Sequence, residues 1–125
     1  MIENLIGLLF ASRDYAHRAH LKSVSHAEHV ALGKFYEEVI DLADRLTEAY
    51  QGRMIALSKS ATRLNIPYID EASVAESPTQ TLIRHLTLIQ EVRYQAVSPK
   101  ETALQNIIDE VVALYYSSLY QLSLA

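Results

Sequence analysis

Residues 53–76 read RMIALSKSATRLNIPYIDEASVAE, and this stretch decides the fold. Met54–Leu57 offers the start of a short helix, Pro67 interrupts, and Asp70-Glu71-Ala72 reads as loop or a single turn. Proline lacks an N–H and fixes φ, so a regular helix does not run through it. On both sides of the stretch apolar residues recur at i, i+3 and i+4, the spacing of an amphipathic helix. Two helices precede it, joined by a short turn, and two follow it, again joined by a short turn. Short turns force antiparallel neighbours, whereas a long crossover lets the third helix run parallel to the second. The expectation is a single all-α domain over residues 1–125, a four-helix bundle with one long crossover between its second and third helices.

The first helix is expected at about residues 2–21. Leu5, Leu8, Leu9, Ala16 and Ala19 form its inner face, widened by Ile6, Phe10 and Tyr15. A turn at Leu21–Val24 leads to Ser25-His26-Ala27-Glu28, with Ser at N-cap and Glu at N3, the pattern of a capping box. The second helix then buries Leu32, Phe35, Tyr36, Val39, Leu42, Ala43, Leu46 and Tyr50, and Gly52 reads as its stop. Ser77-Pro78-Thr79-Gln80 and Ser98-Pro99-Lys100-Glu101 each place Ser at N-cap, Pro at N1 and Gln or Glu at N3. They open helices at about 78–96 and 99–123, patterned by Leu82, Leu86, Ile89 and Val92–Arg93, then by Leu104, Ile108, Val111, Tyr115, Leu119 and Leu122.

Composition narrows the function classes. The 125 residues are 50% hydrophobic with 3 Gly and 3 Pro, which argues for a packed helical core and against disorder or a β-sandwich. A net charge of −4 weighs against nonspecific nucleic-acid binding. There is no Cys, so disulfides, thiolate metal sites and Cys nucleophiles are excluded. No apolar run approaches ~18 residues, and Met1-Ile2-Glu3-Asn4 lacks a basic leader region. The expectation is a soluble cytoplasmic protein with no membrane association, a phage particle being the alternative location. No phosphate-binding Gly loop, HExxH pair or Glu-x-x-His motif occurs. Arg53, Lys59 and Arg63 read as solvated surface, and Tyr115-Tyr116 with Tyr120 as a subunit contact.

The chemistry gathers at the first hairpin. Four of the five His lie at positions 17, 20, 26 and 29. Singly, such residues are surface or packing groups. Together they are symmetric about residue 23, so His17 is expected level with His29 and His20 level with His26. Imidazole is the commonest protein metal ligand. The second helix also carries Glu37, Asp41, Asp44 and Glu48 along one stripe, the ordinary reading of which is a solvated acidic face. Asp44 and Glu48, one turn apart, could share a cation. With imidazole, carboxylates suit iron, zinc or manganese.

Within one chain His29 and Asp44 cannot meet on one ion, because 15 residues of helix separate them by about 22 Å at ~1.5 Å per residue. Two copies of the second helix, antiparallel about a two-fold axis near Tyr36–Glu37, bring His29 of one chain to Asp44 of the other. The symmetry makes the site twice.

The series His17, His29, Asp44, Glu48 resembles the inter-subunit ferroxidase motif of Dps-type miniferritins, and the four-helix pattern with its crossover is similar over most of the chain. The resemblance implies a ferritin-like four-helix bundle. It implies His17 and His29 as ligands from one subunit and Asp44 and Glu48 from its two-fold mate, with His20 and Glu37 as further candidates. It also implies oxidation of Fe(II) by peroxide or oxygen, and a homo-oligomeric, commonly dodecameric, shell. Two positions depart from the pattern. Gly33 stands where an Asp is usual, and Arg18 stands where a Trp follows the first His. The basic N-terminal extension that some members use on DNA is missing, so DNA protection is not implied. His20, Ala27-Glu28-His29, Asp44, Glu48 and Tyr50-Gln51-Gly52 also resemble small ferritin-like proteins, many of them phage-encoded. The alternative function is a ferritin-fold structural or assembly protein with a vestigial or zinc-binding site and no ferroxidase activity.

Overall fold

A computed structural model of the chain describes residues 1–58, 63–70 and 76–125. Four helices account for most of them: α1 (Ile2–Lys22), α2 (His26–Ser58), α3 (Pro78–Ala96) and α4 (Thr102–Ser123). Among the described residues there is no strand. Going round the bundle, α1 packs on α2, α2 on α4, α4 on α3, and α3 back on α1, so α2 and α3 are diagonal.

Side-chain pairs give the directions. Ser12 pairs with His85, and Tyr15 donates to the carbonyl of Glu76, so position rises on α1 as it falls on α3. Likewise Arg53 meets Glu101 and Arg45 meets Glu110, which sets α2 antiparallel to α4. The short first hairpin makes α1 and α2 antiparallel, so α2 and α3 run parallel, as the long crossover requires. The crossover crosses α1 at Pro67, and glycine is needed there: a Cβ on Gly7 would lie 2.8 Å from the Pro67 carbonyl oxygen.

The core is built from the expected apolar stripes. Leu5, Ile6 and Leu9 of α1, Leu32, Phe35, Val39 and Leu46 of α2, Leu82 and Ile89 of α3 and Ile108 and Tyr115 of α4 are buried. Phe35 meets the Tyr115 ring edge-on, with centroids 4.9 Å apart. Removing a side chain of this kind typically costs about 2–5 kcal/mol.

Two expected boundaries are corrected. Gly52 is not a stop: α2 runs on to Ser58, a helix of 33 residues that absorbs Met54–Leu57. A glycine ends a helix by adopting the left-handed conformation, and here the chain has reason to continue. Arg53 reaches Glu101 at 2.5 Å, and Gln51 accepts a hydrogen bond from the Leu64 N–H at 2.8 Å. Arg53 is therefore a partly buried tie to the start of α4 rather than solvated surface, Arg63 is exposed, and Lys59 lies outside the described residues. So do residues 71–72 of the expected Asp70-Glu71-Ala72 turn.

The second correction concerns the two Ser-Pro starts. The Ser77 box forms in full: Ser77 accepts from the Gln80 N–H at 3.2 Å, and Gln80 accepts from the Ser77 N–H at 3.1 Å. The Ser98 box does not, and α4 begins at Thr102 rather than 99. Arg53 lowers the pKa of the Glu101 carboxylate by hydrogen-bonding it, and the carboxylate is not free to reach back. The Glu101 N–H instead closes a turn on the Ser98 carbonyl at 3.0 Å.

Candidate functional site

The hairpin between α1 and α2 turns through Ser23–Ser25. Ser25 caps α2 by accepting from the Glu28 N–H at 3.3 Å, while the Glu28 carboxylate accepts from the Ser23 hydroxyl at 3.2 Å. Because α1 continues to Lys22, the pairing centre moves from residue 23 to between residues 24 and 25. That moves each partner by three residues, just under one helical turn. His20, not His17, lies against His29, with ring centroids 3.7 Å apart and planes 17° apart. His17 stacks instead on Tyr36 at 4.1 Å. His26 is exposed and does not face His20.

The His20–His29 pair is reciprocal. His20 Nδ1 lies 2.6 Å from the His29 carbonyl oxygen, and His29 Nδ1 lies 2.8 Å from the His20 carbonyl oxygen. A carbonyl only accepts, so each Nδ1 carries a hydrogen and, in the neutral ring, each Nε2 keeps its lone pair. Nδ1 anchoring of this kind is what orients metal-binding imidazoles. Yet two nearly parallel rings direct their in-plane lone pairs along separate planes. His20 and His29 therefore do not converge on one ion in this arrangement.

Gly33 makes the clasp fit. A Cβ there would stand 2.9 Å from His20 Cε1 and 3.1 Å from its Nδ1. The position that departs from the miniferritin pattern is thus filled from behind by an imidazole. Arg18, the second departure, bonds Asp14 at 2.9 Å one turn back on α1, which occupies its charge there. Arg13 lies over the Tyr36 ring at 5.6 Å.

His17, His20 and His29 are half-buried, whereas Glu37, Asp41, Asp44 and Glu48 are exposed along the outer face of α2. Among the described residues, no group of three or more His, Asp or Glu of one chain is placed to hold a metal. The hairpin thus brings three imidazoles together with Tyr36 and leaves the carboxylates further down the helix. As a donor set the residues fit a borderline divalent ion, with anchored imidazole nitrogen at one end of the face and paired carboxylate oxygen at the other. Within one chain the two ends stay apart.

A further polar cluster is sealed in the bundle. Tyr115 donates to Ser12 Oγ at 2.5 Å, and Ser12 Oγ lies 2.5 Å from His85 Nδ1. The Ser12 hydroxyl thus joins the Tyr115 hydroxyl and the His85 ring in one hydrogen-bonded chain. All three residues are fully buried, and burial pushes the Tyr115 hydroxyl pKa up. Tyr115 is therefore a core residue, not a subunit contact, while Tyr116 and Tyr120 are exposed. The same holds at the α3–α4 end, where buried Arg93 donates to Gln105 Oε1 and to Asp109 Oδ1 at 2.7 Å. Sequence spacing carried the signal for these residues. Ser12 lies on the Leu5–Leu9–Ala16 stripe and His85 between Leu82 and Ile89, both on faces that must be buried.

Comparison with known proteins settles the lineage. The chain belongs to DUF5856, a family of unknown function, whose pattern matches residues 20–122. It is 31% identical over 122 residues to an "Uncharacterized 14.6 kDa protein in mobD-ri intergenic region" of Enterobacteria phage T4, covering 98% of this chain and 88% of that one. No solved structure matches it. The phage connection expected from the sequence is thus shown, and the family reached is DUF5856 rather than the miniferritins. Among the described residues, no helix is long and apolar enough to cross a membrane.

Proposed function

We propose that this member of the DUF5856 family is a ferritin-like homo-oligomer that holds a divalent metal ion between two subunits. His17 and His29 come from one subunit and Asp44 and Glu48 from the other. The observation that carries the reading is the state of His29. Its Nδ1 is committed to the His20 carbonyl, and its Nε2 is left as a lone-pair donor in a half-buried ring. His20 is then a positioning residue, and Glu37 lies near the two-fold axis.

The distribution of charge along α2 supports the same pairing. Its outer face is imidazole and cationic towards the N-terminal end, through His26, His29 and Lys34. It is acidic towards the C-terminal end, through Glu37, Asp41, Asp44 and Glu48. Only an antiparallel mate sets unlike ends together. By the miniferritin resemblance the ion is Fe(II), a substrate oxidised to Fe(III) by oxygen or peroxide for storage or protection. Zinc and manganese suit the same donors.

Calorimetric titration with Zn(II), or anaerobically with Fe(II), tests the ligand set. Asp44→Ala should lose at least tenfold in affinity while Asp41→Ala stays near the parent, since only position 44 is level with His29 across the axis. Equal losses, or no binding by the parent chain, would contradict it.

One observation favours a second reading, in which the chain is a structural or assembly protein of phage type. The reciprocal bonds of His20 and His29, with Gly33 vacated behind them, account for both rings as a hairpin clasp without any ion. On that reading, with the site vestigial, the same titration yields no binding; with a zinc-binding site it yields Zn(II) binding without oxidation of Fe(II).

A further inference from the structure

We propose that the metal controls assembly: the metal-free chain is monomeric, and the divalent ion closes the α2–α2 dimer. The inference rests on the shared-site reading above and adds to it a property of the outer face of α2.

That face is self-complementary in pattern but not in amount. Lys34 stands against Glu37, Asp41, Asp44 and Glu48, and the neighbouring Arg45 is taken up by Glu110 at 3.0 Å. Each chain thus brings one lysine and four carboxylates to the contact. About an axis near Tyr36–Glu37, Glu37 lies beside its own copy, with Asp41 of each chain one turn away. Lys34 of each chain lies level with residues 37–41 of the other, which leaves Asp44 and Glu48 uncompensated. Like charges set opposite each other at an interface oppose association. Neutral imidazoles, which are what the shared site needs, supply no countercharge.

Two divalent ions per dimer bring four positive charges to those carboxylates. They sit where Asp44 and Glu48 meet the half-buried His29 of the second copy. A ligand that binds the dimer and not the monomer raises the association constant by its saturation factor at each site. With two identical sites, metal at ten times its dissociation constant raises dimer association by about 100-fold. The unlike ends still fix the antiparallel orientation, so charge pattern selects the geometry and the ion permits it.

Sedimentation velocity of the full chain tests this in three solutions: with chelator, with Zn(II), and with Mg(II) at the same ionic strength. The expected result is monomer in chelator and in Mg(II), and dimer or larger in Zn(II). In parallel, Glu37→Gln should promote dimerisation in chelator, because it removes the like-charge contact at the axis. Asp44→Asn should abolish the response to Zn(II), with helical circular dichroism confirming that both variants are folded. A chelated chain that is already dimeric, while still binding Zn(II) through His29 and Asp44, would overturn metal control and leave the shared site standing. An equal response to Mg(II) would reduce the effect to screening and also overturn it. A chain that stays monomeric in every solution would overturn both the control and the shared site.

Discussion

The hairpin histidines and His85 use the same side chain in opposite ways. At the α1–α2 hairpin, Nδ1 of His20 and of His29 donates to a carbonyl, and the rings stay half-exposed with Nε2 unspent. In the bundle, His85 Nδ1 is hydrogen-bonded to the Ser12 hydroxyl, which also accepts from Tyr115, and all three are sealed from solvent. The buried cluster ties α1, α3 and α4 together and is an architectural element. The hairpin cluster has ligating capacity left over. In this protein exposure and the hydrogen-bond partner, rather than residue type, separate a candidate site from a core contact.

The sharpest way to break that contrast is to cut each side separately. Tyr115→Ala empties the bundle centre and should cost about 3–5 kcal/mol, whereas Tyr116→Ala, on the exposed neighbour, should stay within about 0.5 kcal/mol. Urea denaturation followed by circular dichroism measures both. Equal effects would mean that the buried cluster is not where the bundle is held.

Glycine substitutions sharpen the comparison at the hairpin. Gly33→Ala drives a methyl to within 2.9 Å of His20 Cε1 and must push that ring off His29. It should destabilise by about 1–3 kcal/mol despite the better helix propensity of alanine. Nothing lies within 4 Å of a Cβ at Gly52. There the same change should stabilise by about 0.5–1 kcal/mol. Opposite signs for one substitution on one helix are the expected outcome; thermal melts of the two variants that shift the same way would show that the His20 seat is not closed.

The smallest effect concerns pH. Arg53 lowers the Glu101 pKa, so the ion pair adds stability above the ordinary carboxylate range. That contribution is lost as pH falls through the lowered value. Glu101→Gln should flatten this part of the stability–pH profile and leave its neutral-to-basic side parallel to the parent. A profile of unchanged slope in acid would remove the pair as the reason that α4 starts at Thr102.

The same ion pair marks how far the sequence alone could be read. Ser77-Pro78-Thr79-Gln80 and Ser98-Pro99-Lys100-Glu101 are alike as local patterns, yet only the first becomes a capping box, because Glu101 has a competitor on α2. Helix existence, the apolar faces and the long crossover were legible, since they follow from spacing within each element. Partners across elements were not. The clustering of His17, His20 and His29 was visible in their spacing, but the Tyr36 stack and the His20–His29 clasp depend on a turn three residues long rather than on its midpoint. The seat at Gly33 could not be seen at all, because it exists only once the His20 ring has been placed behind it.

The claim that one site is built from two chains has a direct test by complementation. His29→Ala and Asp44→Ala each spoil both sites of their own dimer. When the two variants are mixed and allowed to re-pair, each mixed dimer regains one intact site, made from the His29 of one chain and the Asp44 of the other. Each mixed dimer has one intact site of two, so Zn(II) titration of the mixture should recover about a quarter of the parent's tight-binding capacity if the chains pair at random, and up to about half if the ion itself drives pairing. Neither variant alone should show any. A mixture that binds no more than its separate components would contradict the shared site.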